Sequence, residues 1–275
     1  MILDGKEKSK KIRSWVKQEV EQIQQPIKLL VILVGNDPAS QIYVASKEKA
    51  CHEVGIDTQT WRFDANITQK ELIGRIRQAN EDNTVHAILV QLPLPTHLDE
   101  KQVINEIHPW KDVDGLTIAN QGKLLNQMKG IVPATPLGVM HLIDEYKLDL
   151  NGKNAVVIGR SALVGKPLAL LLLQRNATVT IAHSKTTNLK EIIKQSDVVV
   201  SAVGRGHFIT ADMIKQGAIV IDVGITRVFG KIMGDVDYQN CLDIVSYITP
   251  VPGGVGPMTI ATLLENVVEC YKNQL

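Results

Sequence analysis

Short apolar runs return along this chain with helical periodicity between them, and that alternation limits the fold more than any other feature. Leu29 to Val34 and Ala155 to Ile158 are uninterrupted and Val85 to Val90 is broken only by His86; all three are too short for helices and closed by turn residues. They read as strands buried on both faces, the habit of parallel sheets. Thr178 to Ala182, Val198 to Val203 and Ala218 to Val223 continue the series, and Thr58 to Phe63 alternates as a further strand. Between them, Ile12, Trp15, Val16, Val20 and Ile23 put a helix over roughly Gly5 to Gln25, stopped by Pro26. Thr68-Gln69-Lys70-Glu71 fits a capping box, with Ile67 and Leu72 as its hydrophobic staple. Leu72, Ile73, Ile76 and Ala79 then face inward, and Glu100 to Ile107 is a further helix. Strands alternating with helices make the expected fold class α/β.

The 275 residues suffice for two domains. Thr135-Pro136 reads as a cap with proline at the first position of a connecting helix that runs to about Tyr146. A second unit begins at Gly152, with helices at Leu189 to Lys194 and Ala211 to Lys215 among its strands. That β-α-β-α-β-α-β order is the pattern of a dinucleotide-binding sheet. Thr249 to Thr259 is too rich in glycine and proline for regular structure and leads into a helix from Ile260 to about Lys272.

Net charge is +1, which points to neither nucleic acid nor membrane. Apolar runs such as Leu168 to Leu173 are far too short to span a bilayer, and Met1 to Glu7 lacks a signal-peptide core. Cys51, Cys241 and Cys270 form no metal spacing and no even disulfide set, so no metal is expected and a reducing cytosol is favoured.

The helix after Gly35-Asn36-Asp37-Pro38 carries an unusual lysine. Asp37 and Ser40 compete as its cap, and Gly55 stops it. On a helical wheel Tyr43, Val44, Lys47, Ala50, Cys51 and Val54 share one arc, while Glu48, Lys49, His52 and Glu53 fall opposite. Lys47 thus lies in the apolar stripe, where an amine costs free energy unless it is paired or used. The plain alternative is a lysine that snorkels to the surface. A Tyr-x-x-x-Lys pair also occurs in short-chain dehydrogenases. There it follows the glycine-rich turn, whereas here it precedes the only such turn by about 115 residues, so that reading fails on order.

That turn is Gly159-Arg160-Ser161-Ala162-Leu163-Val164-Gly165, placed after a strand and before a helix, as a phosphate site requires. It departs from the dinucleotide fingerprint: Ser161 replaces the second glycine and one residue is added before Gly165. The next strand ends in Ala182-His183-Ser184-Lys185-Thr186, without the carboxylate that grips NAD ribose, and Arg160 could reach a 2′-phosphate. The cofactor expected is NADP. Gln91, followed by Leu92-Pro93-Leu94-Pro95, and Asp114 with Gly115 lie just past the ends of elements, where parallel sheets bind ligands.

Together these motifs resemble the bifunctional methylenetetrahydrofolate dehydrogenase/methenyltetrahydrofolate cyclohydrolase family. The resemblance rests on Val34-Gly35 with Ser40 to Lys49, Val90 to Pro95, Lys111 to Gly115, Val157 to Pro167, and Thr249 to Thr259. It implies an N-terminal catalytic folate-binding domain over 1–135, to which 255–275 returns, and a Rossmann-like NADP-binding domain over 136–254. It implies NADP-dependent oxidation of 5,10-methylenetetrahydrofolate and hydrolysis of the methenyl product to 10-formyltetrahydrofolate, in a homodimer, with folate in a cleft walled by the Thr249 loop. By the same resemblance Lys47 is the general acid/base, Gln91 tunes it, Tyr43 stacks on the folate rings, and Asp114 binds the pterin nitrogens. Leu92, Pro93, Pro250, Val251, Pro252, Gly253 and Gly254 line the folate. Gly159, Arg160, Ser161, Val164, Gly165, His183, Ser184, Thr186, Ala202, Val203, Gly204, Gly224 and Ile225 hold the NADP. One departure is Pro133-Ala134-Thr135-Pro136-Leu137-Gly138, where the family commonly has cysteine in place of Ala134. The rival readings are a monofunctional NAD(P)-dependent dehydrogenase without hydrolase activity, or one acting on another small substrate, and a non-catalytic NADP-binding module.

Overall fold

A computed structural model describes residues 1–228 and 231–275. Its contacts group the chain into two units, Lys11–Pro133 with Ile260–Leu275, and Met1–Lys10 with Ala134–Thr259. Helix α1 (Gly5–Gln22) falls partly in each.

In the first unit, β1 (Lys28–Val34) is the middle strand of a parallel sheet between β2 (Asp57–Phe63) and β3 (Ala87–Val90). That central place explains why Leu29 to Val34 is apolar without alternation: every one of those side chains is buried. Helix α2 (Pro38–Glu53) follows β1, and α3 (Gln69–Glu81) follows β2 with both hydrogen bonds of the expected capping box. Leu72, Ile76 and Ala79 of α3 join Leu30, Ile32, Val34, Ile88 and Val90 in one core, with Ile67 packed against it. Helices α4 (Glu100–Asn105) and α5 (Ile118–Leu125) complete this part. Helix α5 spans only eight residues, and the sequence reading omits it.

The second unit opens with α6 (Ala134–Glu145). It starts one residue before the expected Thr135 cap, so Thr135 and Pro136 lie inside the first turn, where amides have no helical acceptor and proline loses nothing. A parallel five-stranded sheet follows, built from β4 (Asn154–Ile158), β5 (Thr178–Ala182), β6 (Val198–Ser201) and β7 (Ile219–Asp222), with α7 (Gly165–Gln174) and α8 (Leu189–Gln195) between strands. A short hairpin, β8 (Thr226–Val228) with β9 (Lys231–Met233), follows β7; then come α9 (Tyr238–Cys241) and β10 (Tyr247–Ile248). The order is β10-β7-β6-β4-β5. The chain leaves β4 first to one side and then to the other, so the turn after β4 sits at the point where strand order reverses, the usual ligand position in such sheets.

Two further expectations change. The helix expected at Ala211 to Lys215 is a single 3₁₀ turn, Ala211–Met213, cut short before Gly217. The final helix, α10 (Val255–Lys272), starts inside the stretch judged irregular. Gly256 and Pro257 occupy its first turn, which again needs no amide from proline.

Candidate functional site

Asp37, not Ser40, caps α2: its carboxylate accepts the Ser40 amide at 2.7 Å, with Pro38 at the first position. The helix then sets Tyr43 and Lys47 one turn apart. Val44, Ala50, Cys51 and Val54 of the expected arc are buried, Lys47 is partly buried, and Tyr43 is 50% exposed. Lys47 is paired: its Nζ donates to Gln91 Oε1 at 3.1 Å. Gln91 stands directly past β3, anchored by its own amide on Ile32 O at 2.9 Å. Its Nε2 donates to Leu92 O at 2.8 Å, which leaves Oε1 facing the lysine. Leu92–Pro93 is a cis peptide.

Asp114 reaches the same region on a segment laid beside β3, where Ile88 N donates to Lys111 O at 2.6 Å. Lys111 is 5% exposed, and its Nζ donates to the carbonyls of Ala79, Asn80 and Asp82 at the end of α3. Burial lowers its pKa; the carbonyls there are the favourable end of the helix dipole for a cation. Asp112 takes the amide of Thr117 and the side chain of Asn120, and Asn266 of α10 donates to Val113 O and Val132 O. Gly115, at φ +65°, closes the segment, and a Cβ there would meet Ile131 O at 2.5 Å. Asp114 is thereby fixed. Burial pushes its carboxyl up from the ordinary value, the charge of Lys47 opposes that, and Asp112 adds to it. Lys47 thus meets Gln91 by a hydrogen bond and Asp114 by charge, within one unit. The sequence reading did not anticipate Lys111 or Asn266 as supports; the lysine's place next to two aspartates resembles ordinary loop polarity.

The turn after β4 is set by close backbone approach. A Cβ at Gly165 would lie 2.2 Å from Gly159 O, and one at Gly159, whose φ is +126°, would lie 2.7 Å from Ala202 O. Ser161 Oγ accepts the amides of Val164 and Gly165 at 3.1 and 3.3 Å, so this serine shapes the start of α7. Arg160 and Ser184 are exposed. His183 and Thr186 are used on each other: the His183 amide donates to Thr186 Oγ1 at 2.8 Å and the Thr186 amide to His183 O at 2.8 Å. At the ends of β6 and β7 the structure adds two buried carboxylates that sequence reasoning missed, Asp222 and Asp235. Their signal is visible in retrospect: each aspartate interrupts an apolar context and stands within two residues of a glycine, in Ile221-Asp222-Val223-Gly224 and Gly234-Asp235-Val236. Asp222 accepts the amides of Gly224, Asp235 and Val236. Its pKa is pushed up to about 6, chiefly by burial, with the Asp235 charge adding and the amides opposing.

Thr249, buried beside β7, accepts the Asp222 amide at 2.7 Å. In the loop that follows, Gly254 N donates to Pro250 O at 2.8 Å, Gly253 O accepts the Gly5 amide at 3.1 Å, and Val251–Pro252 is cis. Pro250 and Val251 are partly exposed, Pro252 exposed, and Gly253 and Gly254 buried. Among the described residues no cluster of His, Cys, Asp and Glu suits a metal, and no helix is long and apolar enough to cross a membrane.

Two family models match the chain: tetrahydrofolate dehydrogenase/cyclohydrolase, catalytic domain, over residues 3–114, and the NAD(P)-binding domain of the same family over residues 133–275. The bifunctional protein FolD of Campylobacter hominis is 51% identical, over 100% of this chain and 98% of its own length. That of Aquifex aeolicus is 49% identical, over 100% and 96%. The crystal structure of FolD from Campylobacter jejuni superposes with TM-score 0.98 at 48% identity, covering 100% of this chain and 99% of that one. The Trypanosoma brucei enzyme, described as complexed with NADP cofactor and inhibitor, gives TM-score 0.94 at 37% identity, over 100% and 98%.

Proposed function

The chain belongs to the tetrahydrofolate dehydrogenase/cyclohydrolase family, and on that premise we propose how its residues divide two reactions. It is a bifunctional enzyme that oxidises 5,10-methylenetetrahydrofolate to the 5,10-methenyl compound with NADP and hydrolyses that product to 10-formyltetrahydrofolate.

The observation that carries the residue assignment is the Lys47–Gln91 hydrogen bond beside Asp114. Hydrolysis begins when water adds to the cationic methenyl carbon and must lose a proton. Lys47 Nζ is the group that takes it, and later returns a proton to the ring nitrogen as the carbon–nitrogen bond breaks. Gln91 Oε1 holds one Nζ–H and so aims the nitrogen. Asp114 presents two acceptor oxygens to the amino group and ring nitrogen of the pterin, a planar donor edge that replaces the water burial removes. Tyr43, half exposed, offers its ring as a platform for the folate. Leu92 and Pro93 are further folate contacts in this reading.

The residues after β4 fit a dinucleotide: the strand–turn–helix is as tight as only glycine at 159 and 165 permits, and the positive end of the α7 dipole stands beside it. Arg160 would meet a 2′-phosphate, and Ser161, Ser184, Val203, Gly204, Gly224 and Ile225 would hold the rest. NADP, when bound, accepts the hydride from the methylene carbon. The folate nitrogen supplies the electrons, so the chain's part in that step is orientation alone. A homodimer in the cytoplasm belongs to this reading; the three buried, unpaired thiols support a reducing compartment.

Purified protein given NADP and methylenetetrahydrofolate should form methenyltetrahydrofolate, followed by absorbance, and then consume it. A Lys47→Met variant should accumulate the methenyl compound. Sedimentation of the purified protein checks the dimer.

A further inference from the structure

We infer that Asp235 is a positioning residue for the cofactor: its carboxylate holds the Ala202–Arg205 segment against the turn after β4 and so sets how tightly NADP is bound. Asp235 is 0% exposed. Its Oδ2 accepts Ser201 Oγ and the Val203 amide, both at 2.8 Å, and its Oδ1 accepts the Arg205 amide at 2.7 Å. One side chain therefore ties three consecutive odd-numbered positions at the end of β6. Ala202 O is the atom that leaves no room for a Cβ at Gly159, so a segment held by Asp235 forms the floor under the glycine turn.

Asp222 locks Asp235 in place from the other side. It accepts the amides of Asp235 and Val236 at 3.1 and 2.8 Å and that of Gly224 at 2.9 Å. Each carboxylate has its own glycine. A Cβ at Gly224 would come within 2.0 Å of Asp235 Oδ1, and one at Gly234 within 2.1 Å of Asp222 Oδ2. Two buried like charges side by side are costly, and a neutral core would hold the sheet together as well. What the carboxylates supply is a fixed shape for the loops at the ends of β6 and β7, where no regular ladder fixes them. This inference rests on placing NADP at those strand ends.

Asp235→Asn tests it in the full chain. The amide of asparagine turns one acceptor into a donor facing an N–H, so Val203 or Arg205 must let go. The KM for NADP should rise about tenfold while hydrolysis of methenyltetrahydrofolate, assayed without NADP, stays within about twofold of wild type. Amide hydrogen exchange at Val203 and Arg205 should accelerate, with β4 unchanged. An unchanged KM in a folded variant overturns the inference, and so does a parallel loss of both activities. Ser201→Ala, which removes one donor and leaves the charge, should raise the KM two- to threefold by the same logic; no rise there overturns it even where the asparagine variant does not fold. Failure of wild-type protein to oxidise the folate with NADP would instead strike the placement of the cofactor.

Discussion

In the function proposed above, the two units contribute in different ways. In the unit around β1, side-chain ends meet: Lys47 on Gln91, with Asp114 sensing the lysine's charge. At the strand ends of the five-stranded sheet, polar side chains instead hold backbone: Ser161 on two amides, Thr186 on one, Asp222 and Asp235 on five between them and a hydroxyl. Chemistry borne by a side chain is lost with that side chain. Chemistry borne by shape is lost by degrees. That difference sets the order of effects expected on substitution.

Lys47→Met should have the largest effect. The amine is the sole group assigned to proton transfer, so hydrolysis should fall by about 10²–10⁴-fold. Lys47 is only partly buried and methionine keeps its stem, so the fold should survive, as circular dichroism would check. Hydrolysis at the wild-type rate would remove Lys47 from the mechanism and leave the first unit as passive as the second.

Next comes a pH effect in the shape-bearing unit. Folded Asp222 titrates at about 6 against 3.8 for an ordinary aspartate. Between those values the folded chain holds a proton that the unfolded chain has released. Stability therefore falls as pH rises through that window and flattens above it, by roughly 3 kcal/mol from this group. Asp212, held down to about 2 beside Lys190, acts in the opposite direction but only at lower pH. Urea unfolding between pH 4 and 7 should show a shallower fall in Asp222→Asn than in wild type; parallel curves would mean the two carboxylates carry no such strain.

The same contrast explains what could be read from sequence. β1 and β4 were legible because a strand buried on both faces must be apolar throughout. The capping box of α3 was legible because its two reciprocal bonds demand residue types at fixed spacing. Lys47 stood out because an amine conflicts with its neighbours Val44, Ala50 and Cys51. Gln91 and Asp114 are placed just past the ends of elements by pattern, but their meeting with Lys47 depends on β3 lying beside β1, a pairing between positions far apart in the chain. Asp222 and Asp235 escaped notice for the opposite reason: an aspartate beside glycine is what any turn looks like, and only burial distinguishes these two. The hairpin β8–β9 and α5 are too short for periodicity to register.

Gln91→Ala should fall between the extremes. It removes the lysine's partner and leaves the lysine, so hydrolysis should drop about tenfold, the worth of one hydrogen bond to a charged group. Oxidation, which asks only for orientation, should drop less. An equal loss in both would mean that Gln91 positions folate rather than Lys47, and kcat and KM measured separately for each reaction decide between them.

Tyr43→Phe should do least. The tyrosine is half exposed, and among the described residues its hydroxyl has no hydrogen-bond partner. Its backbone carbonyl accepts Ser46 Oγ at 3.0 Å, a bond that phenylalanine keeps. If the ring is a platform, both reactions should stay within about threefold of wild type, because stacking depends on the ring face and not on the phenol. If instead the Tyr43 hydroxyl takes up or gives a proton, as the tyrosine of a Tyr-x-x-x-Lys pair does in short-chain dehydrogenases, oxidation should collapse by the 10²-fold or more that a general acid–base group contributes. Dehydrogenase kcat of the phenylalanine variant thus separates two uses of one sequence pattern, and a large loss would turn Tyr43 from a platform for the folate into a residue that carries the chemistry.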